Sequence, residues 1–215
     1  MREVIFGEYH TAVDWDMILN KREITPPDPK TSYVSVEGRD GDLDLSETLT
    51  GEIKYNNRTA SYTFLLTEGS YSDRESVISE VLASVHGKKL NIVDPDNPER
   101  ILIGRCNVTN RSNNRAYGSI TIEANCEPWF YSSVNTVRSF SISSDTEVSL
   151  SNGGNKTVCP EINVTGSITI VYGSKSVALS AGKYKLSDLK LKSGNTTITL
   201  KGSGAITFTY REGVL

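Results

Sequence analysis

Two histidines, three cysteines and a run of alternating aspartates are the residues whose chemistry has to be tested first. His10 and His86 are the only imidazoles in the chain. A zinc site or a Cys-His nucleophile needs partners that the sequence does not place near either one. His86 falls in the last turn of an expected helix, where the dipole favours its charged form, and His10 sits in a strand-entry loop. Asp40, Asp42 and Asp44 imitate the start of a calcium loop. That loop requires Gly at its sixth position and a bidentate Glu at its twelfth, and here Leu45 and Gly51 stand there. A solvated acidic turn is the plainer account. Carboxylate pairs for glycoside hydrolysis can be nominated from 26 acidic residues, but none has a recognisable setting. Gly202-Ser203-Gly204 lacks the following helix and the Lys of a phosphate loop. The expectation is therefore no catalytic residue, no metal and no cofactor.

The cysteines point the same way. If Asn113 and Asn114 form the turn of a hairpin over 101–111 and 116–126, Cys106 faces Thr121 and Cys126 faces Ile101. An offset of about five residues, at roughly 3.3 Å each, keeps the two sulfurs apart. Reduced, buried thiols and assembly in a reducing cytoplasm are expected. The N-terminus, charged at positions 2, 3 and 8, lacks the apolar centre of a secretory signal. No run of about 18 apolar residues occurs, so no membrane insertion is expected.

Net charge is −3, divided unevenly: residues 1–143 carry 15 basic and 21 acidic side chains, residues 144–215 carry 8 and 5. Neither part has the clustered cations of a nucleic-acid surface. Lys183, Lys185, Lys190 and Lys192 alternate with Tyr184, Leu186, Leu189 and Leu191, and read as the wet face of sheet strands. Most tyrosines fall at inward-alternating positions. Trp15 and Trp129 are the two aromatics that suggest interface burial.

Period-2 alternation dominates the elements that would carry these residues. Ala60, Tyr62, Phe64 and Leu66 alternate with Ser61, Thr63, Leu65 and Thr67, after an Asn56-Asn57 tight turn that follows Ile53 and Tyr55. One helix is expected over Ser72 to His86, with a Ser72/Glu75 capping box, an apolar stripe of Val77, Ile78, Val81, Leu82 and Val85, and a Gly87 stop. Beyond Pro128-Trp129-Phe130-Tyr131, Ser, Thr, Gly and β-branched residues take over. Short strands there alternate with glycine-bearing turns at Asn152-Gly153-Gly154, Gly166, Gly173, Gly182, Gly194-Asn195 and Gly202-Ser203-Gly204, the pattern of a small antiparallel sandwich. The fold expected is mainly β: residues 1–135 form a β-sandwich or barrel-like domain with one packed helix and a belt-like hairpin extension, and residues 136–215 a small antiparallel β-sandwich.

Val36 to Arg58, reading VEGRDGDLDLSETLTGEIKYNNR, does not fit this frame. It is a long, acidic, turn-rich excursion between two ordinary strands, and compact domains rarely carry one without a use for it. Fully burying its Val36, Leu43, Leu45, Leu49, Ile53 and Tyr55 would contribute roughly 10 to 18 kcal/mol. Ordering 23 residues costs at least that, at roughly 1 to 2 kcal/mol per backbone. The segment needs sheet pairing or a second surface, and a neighbouring subunit is the expected one.

TAVDWDMILNKREITPPDPKTSYVSVEGRDGDLDLSETLTGEIKYNNRTASYTFLL, with the closing ITIEANCEPWFY, resembles the distal tail protein family of long-tailed, non-contractile bacteriophages of Gram-positive hosts. The resemblance covers roughly residues 1–131. Its specific part is the string Gly38-Arg39-Asp40-Gly41, Asp44-Leu45, Gly51, Tyr55 and Arg58. It implies a non-enzymatic structural protein of the virion tail tip, forming a ring, usually a hexamer, that joins the tail tube protein to the tail-tip protein and the receptor-binding proteins. DNA is free to pass the ring lumen without specific binding. It also implies an intersubunit belt of Gly38, Arg39, Asp40, Gly41, Leu43, Asp44, Leu45, Leu49, Ile53, Tyr55 and Arg58, and a galectin-like C-terminal sandwich. The competing readings are a carbohydrate-binding module for host adhesion, from the sandwich with its Tyr and Asn side chains, and a wall hydrolase resting only on carboxylate abundance.

Overall fold

The computed structural model describes residues 2–215, and the chain divides into two compact units, Met1–Pro128 and Trp129–Leu215. In the first unit the elements run β1 (Ile5–Phe6), β2 (Tyr9–His10), β3 (Ile18–Ile24), β4 (Tyr33–Val34), β5 (Leu43–Asp44), β6 (Arg58–Leu66), α1 (Tyr71–Val85), β7 (Lys89–Val93), β8 (Arg100–Asn113) and β9 (Gly118–Cys126). An antiparallel sheet follows the order β2-β1-β7-β8-β9-β6-β3. Ala60, Tyr62 and Phe64 lie opposite Ala124, Ile122 and Ile120. Because directly opposed residues share a face, these side chains form one apolar surface, and all are buried. Phe6 meets Tyr62 and Phe64 edge-on, with ring centroids 5.8 and 6.4 Å away. Ile78, Val81 and Val85 of α1 are buried too.

The helix starts at a different cap from the one expected. Ser70 Oγ accepts the Asp73 N–H and Asp73 Oδ2 accepts the Ser70 N–H, closing the box two residues earlier than Ser72 with Glu75. Ser72 instead lies inside the first turn, and Glu75 is drawn away by Asn113. At the other end Gly87, at φ +76°, turns the chain as expected. His86 departs from the dipole argument: its Nδ1 accepts the Val108 N–H at 3.0 Å, so the ring ties α1 to β8.

The register of β8 with β9 also differs from the expectation. Cys106 faces Ala124 and Cys126 faces Gly104, because the chain reverses through a wider turn at 114–117 and shifts register between Val108 and Asn110. Asn114 Oδ1 accepts the Ala116 and Tyr117 N–H groups and holds that turn open. The two cysteines are diagonal neighbours two residues apart, buried and free. Arg74, itself buried, locks the turn to the helix by donating to Gly69 O, Asn113 Oδ1 and Asn114 O. Asp94 forms a second buried knot, accepting from Arg22 Nε at 2.6 Å and Tyr62 Oη at 3.0 Å.

In the second unit follow β10 (Phe130–Ser132), β11 (Thr136–Ile142), β12 (Thr146–Asn152), β13 (Glu161–Tyr172), β14 (Lys175–Leu179), β15 (Gly182–Lys185), β16 (Gly194–Tyr210) and β17 (Gly213–Val214). Trp129, Phe130 and Tyr131 go with this unit, because Phe130 and Tyr131 pair with Val214 and Gly213. Gly166 and Gly202-Ser203-Gly204 are not turns. They lie inside two long strands, β13 and β16, which pair without interruption from Glu161↔Thr209 to Val171↔Thr199. At this crossing Gly166, Gly202 and Gly204 have φ of +93°, +111° and +144°. A Cβ on Gly204 would sit 1.9 Å from Thr165 O, and one on Gly202 would sit 2.4 Å from Ser167 O. The kink splits the pair into two four-stranded halves. One half is β11-β16-β13-β15 and the other β12-β16-β13-β14. Ile162, Val164, Ile206 and Phe208 of the first half and Ile168, Ile170, Ile198 and Leu200 of the second enclose one core.

Lys183 and Lys185 face solvent on β15 as expected, whereas Lys190 and Lys192 flank Leu191 at an isolated bridge to Val158 rather than lying on a strand. Asn152, 1% exposed, donates to Lys156 O and Leu191 O and accepts the Gly154 N–H, so its amide is fully committed.

Candidate intersubunit arm

Between β3 and β6 the chain leaves the sheet as a self-paired ribbon. Thr25 N–H donates to Thr59 O, Asn56 N–H to Asp28 O, Lys30 N–H to Lys54 O and Leu45 N–H to Ser32 O; Tyr33 then opposes Asp44 and Val34 opposes Leu43. The arm therefore continues the β3–β6 pairing outward, at up to about 3.3 Å per residue. The expected tight turn at Asn56-Asn57 does not form. Asn56 is instead spent on Asp28, and Asn57 Nδ2 donates to Asn125 Oδ1, so this stretch is the return leg running straight into β6.

The outgoing leg carries Pro26, Pro27 and Pro29. Lacking an N–H, these residues blunt its open edge against stray strand pairing. At the tip, Gly38 and Gly41 have φ of +79° and +72°, the left-handed conformation that reverses the chain around Arg39 and Asp40. The Arg39 N–H donates to Val36 O. Asp44 Oδ1 accepts from the Ser46 hydroxyl and then the Ser46 N–H, and these bonds hold its pKa below the ordinary carboxylate value. Among the described residues, no three His, Cys, Asp or Glu side chains converge on a metal position.

Not one residue from 28 to 57 is buried. Opposed residues share a face, so Val34 and Leu43 lie together, with Leu45 next in alternation beside them. A two-stranded ribbon with an apolar face is marginal alone in water. Five of the exposed large apolar side chains belong to the arm: Tyr33, Val34, Val36, Leu49 and Ile53. Leu49 is 97% exposed at the crest of a loop closed by the Gly51 N–H to Glu47 O bond.

The structure distributes the expected residues unevenly. Gly38, Arg39, Asp40, Gly41, Leu43, Asp44, Leu45, Leu49 and Ile53 lie on the arm, and Tyr55 lies on its return leg, bridged to Pro29. Arg58 does not share their exposure. It is 4% exposed on β6 opposite Cys126, at the root of the arm, and burial lowers its pKa. Trp15 is buried within its own unit, stacked on Tyr9 at 5.3 Å, so it is a core residue and not an interface aromatic. Trp129 is half-buried in the second unit. The outgoing leg, with Tyr33 and Val34, was missed from sequence, although its prolines signalled an edge.

No family model and no curated protein matches the chain. Among solved structures it is similar to the crystal structure of the SPP1 Dit (gp 19.1) protein, at a TM-score of 0.73 and 15% identity, covering 98% of this chain and 99% of that one. The fold is the Dit fold. The SPP1 protein is described as a paradigm of the hub adsorption apparatus in phages that infect Gram-positive bacteria. The likeness spans nearly the whole of both chains, and so takes in both units and the arm between β3 and β6.

Proposed function

We propose that this chain is a structural hub of a bacteriophage tail tip, with no catalytic activity. In this reading it assembles head to tail into a homo-oligomeric ring, a hexamer by the family's habit. The ring joins the tail tube protein to the tail-tip protein and to receptor-binding proteins. One observation carries the reading: residues 28–57 are ordered by their own backbone ladder yet none of them is buried, and the apolar face with Val34 exposed and Leu43 and Leu45 half-buried is left incompletely covered within the subunit. The Dit fold supports it. A contact made by an arm on a different surface of the next copy is heterologous, and closes a ring when its rotation divides the circle.

Replacing Leu43 and Leu45 by Asp removes the ring while leaving the subunit folded, as read by light scattering and negative-stain microscopy alongside thermal melting. A wild-type protein that stays monomeric at high concentration, with no rings on the grid, sinks the reading.

A second reading, saccharide binding by the second unit, is favoured by a cleft of about 550 Å³ on its outer face, lined among others by Glu161, Asn163, Lys183, Lys185, Thr207 and Thr209. It offers hydrogen-bonding groups, while Tyr184 Oη is turned to Ser180. Retention of the full chain on a glycan array tests it, and no retention on any polysaccharide removes it.

A further inference from the structure

We infer that the ligand of the cleft on the second unit is a phosphorylated saccharide, its phosphate seated on Lys183 and Asn163 and its hydroxyls met by the neighbouring row; this rests on the saccharide-binding reading. Two rows of opposed residues cross the cleft. Lys183 opposes Asn163 and Asn163 opposes Thr207, while Lys185 opposes Glu161 and Glu161 opposes Thr209. Opposed residues share a face, so all six side chains stand on one side of β15, β13 and β16, and they line the same cavity of about 550 Å³.

Most of these polar groups are available. Thr207 Oγ1 lies 2.9 Å from Ser139 Oγ, and Tyr184 Oη donates to Ser180 O, so those two hydroxyls are occupied. Glu161, Asn163, Lys183, Lys185 and Thr209 have no side-chain partner among the described residues. Other lysines of this unit do find carboxylates outside the cleft, Lys175 with Asp188 and Lys201 with Asp145. The backbone beneath the cleft is paired on both sides, β13 with β15 and β16, and β16 with β11. Five uncommitted groups are thus held on a fixed frame, which lowers the entropy lost when a ligand docks.

Charge selects the ligand. Lys183 and Lys185 against Glu161 leave the lining with a net charge of +1, and that charge is unevenly placed. Lys185 and Glu161 share a row and offset each other, whereas the Lys183 row holds an ammonium and an amide with no carboxylate. An anion is drawn to that second row, where the Asn163 amide donates to it beside the Lys183 ammonium. No arginine lines the cleft. A carboxylate is best met by the planar fork of Arg, while the compact point charge of Lys suits a phosphate. In the other row the Glu161 carboxylate accepts, Lys185 donates and Thr209 does both, which is the mixture that sugar hydroxyls require. The rows are two residues apart along β13, about 6.6 Å at 3.3 Å per residue, a span that one sugar phosphate covers.

The test uses the full chain on an array of glucose, mannose, galactose and N-acetylglucosamine oligomers, each printed in neutral, phosphorylated and uronate form. At least one phosphorylated oligomer is held about tenfold tighter than its neutral and uronate counterparts, the gain of one charge-assisted contact. Lys183→Gln keeps a donor, loses the charge and removes that preference without lowering retention of the neutral form. Lys192→Gln, which removes the same charge outside the cleft, keeps the preference; circular dichroism confirms that both variants fold. If neutral and phosphorylated forms are held alike, if uronates are held as tightly as phosphates, or if the preference survives Lys183→Gln or is lost equally in Lys192→Gln, this inference fails while saccharide binding stands. No retention of any form removes the saccharide reading itself.

Discussion

Asp94 is the residue on which the first unit's interior polar bonding depends. Only 1% exposed, it accepts from Arg22 and Tyr62 and, through Oδ1, from the Asp96 N–H. Truncation to Ala leaves the buried Tyr62 hydroxyl without its acceptor and the Arg22 guanidinium with Asp96 alone, at 3.4 Å, and is expected to cost about 1 to 3 kcal/mol in a urea titration. The hydrogen bond to Asp94 raises the pKa of Arg22, and burial raises that of Tyr62. Burial likewise pushes the Cys106 and Cys126 thiols from 9.0 up to about 12. Unfolded, these groups release their protons near the ordinary values; folded, they hold them to higher pH. Between about pH 9 and 12 the unfolded chain therefore binds fewer protons, and stability falls as pH rises. Urea midpoints at pH 8 and 11 read the decline, and Cys106→Ala makes it shallower. The buried, reduced thiols were legible in the sequence; their register was not, because it depends on a turn whose width Asn114 sets, and nothing in Arg22, Tyr62 and Asp94 announces a meeting across the chain.

At the scale of elements, sequence periodicity was a good guide wherever one face is buried. The alternation over β6 is where its side chains predict, and on α1 Ile78, Val81 and Val85 of the expected stripe are buried while Val77 and Leu82 are half-buried at its margin, because burial on one face leaves a period that can be counted. Ser-x-x-Glu from Ser72 and Ser-x-x-Asp from Ser70 describe the same box, and only the bonds between Ser70 and Asp73 decide between them. Ser70→Ala is expected to cost about 1 kcal/mol by thermal melting. Glycine misled in the second unit. A Gly that permits a turn and a Gly that permits two strands to touch look alike in one dimension, since the partner of Gly166 lies across the sheet at Gly204. Two substitutions separate these roles. Gly204→Ala meets Thr165 O and should cost about 3 kcal/mol or prevent folding. Gly38→Ala meets open space and should cost only about 1 to 2 kcal/mol, for its left-handed backbone.

For the whole molecule, the excursion was visible in sequence as a hairpin extension with too little apolar surface to order itself, but the register of its internal ladder was not. Pairs such as Lys30 with Lys54 have no compositional signature. That ladder orders the arm before any partner arrives, so the free subunit presents Arg39 on a tip where no neighbouring side chain is buried. Trypsin is expected to cut there first in the monomer, and far more slowly once rings form; equal rates in both states would count against the arm lying in a contact. In the second unit, β13 and β16 each contribute to both halves of the sandwich, passing from one to the other at the glycine crossing. Neither layer can peel away while the other remains, because the same two backbones would have to be torn from both. Amide exchange at Val164 and Ile170, on either side of Gly166, should then report a single opening event with a common free energy.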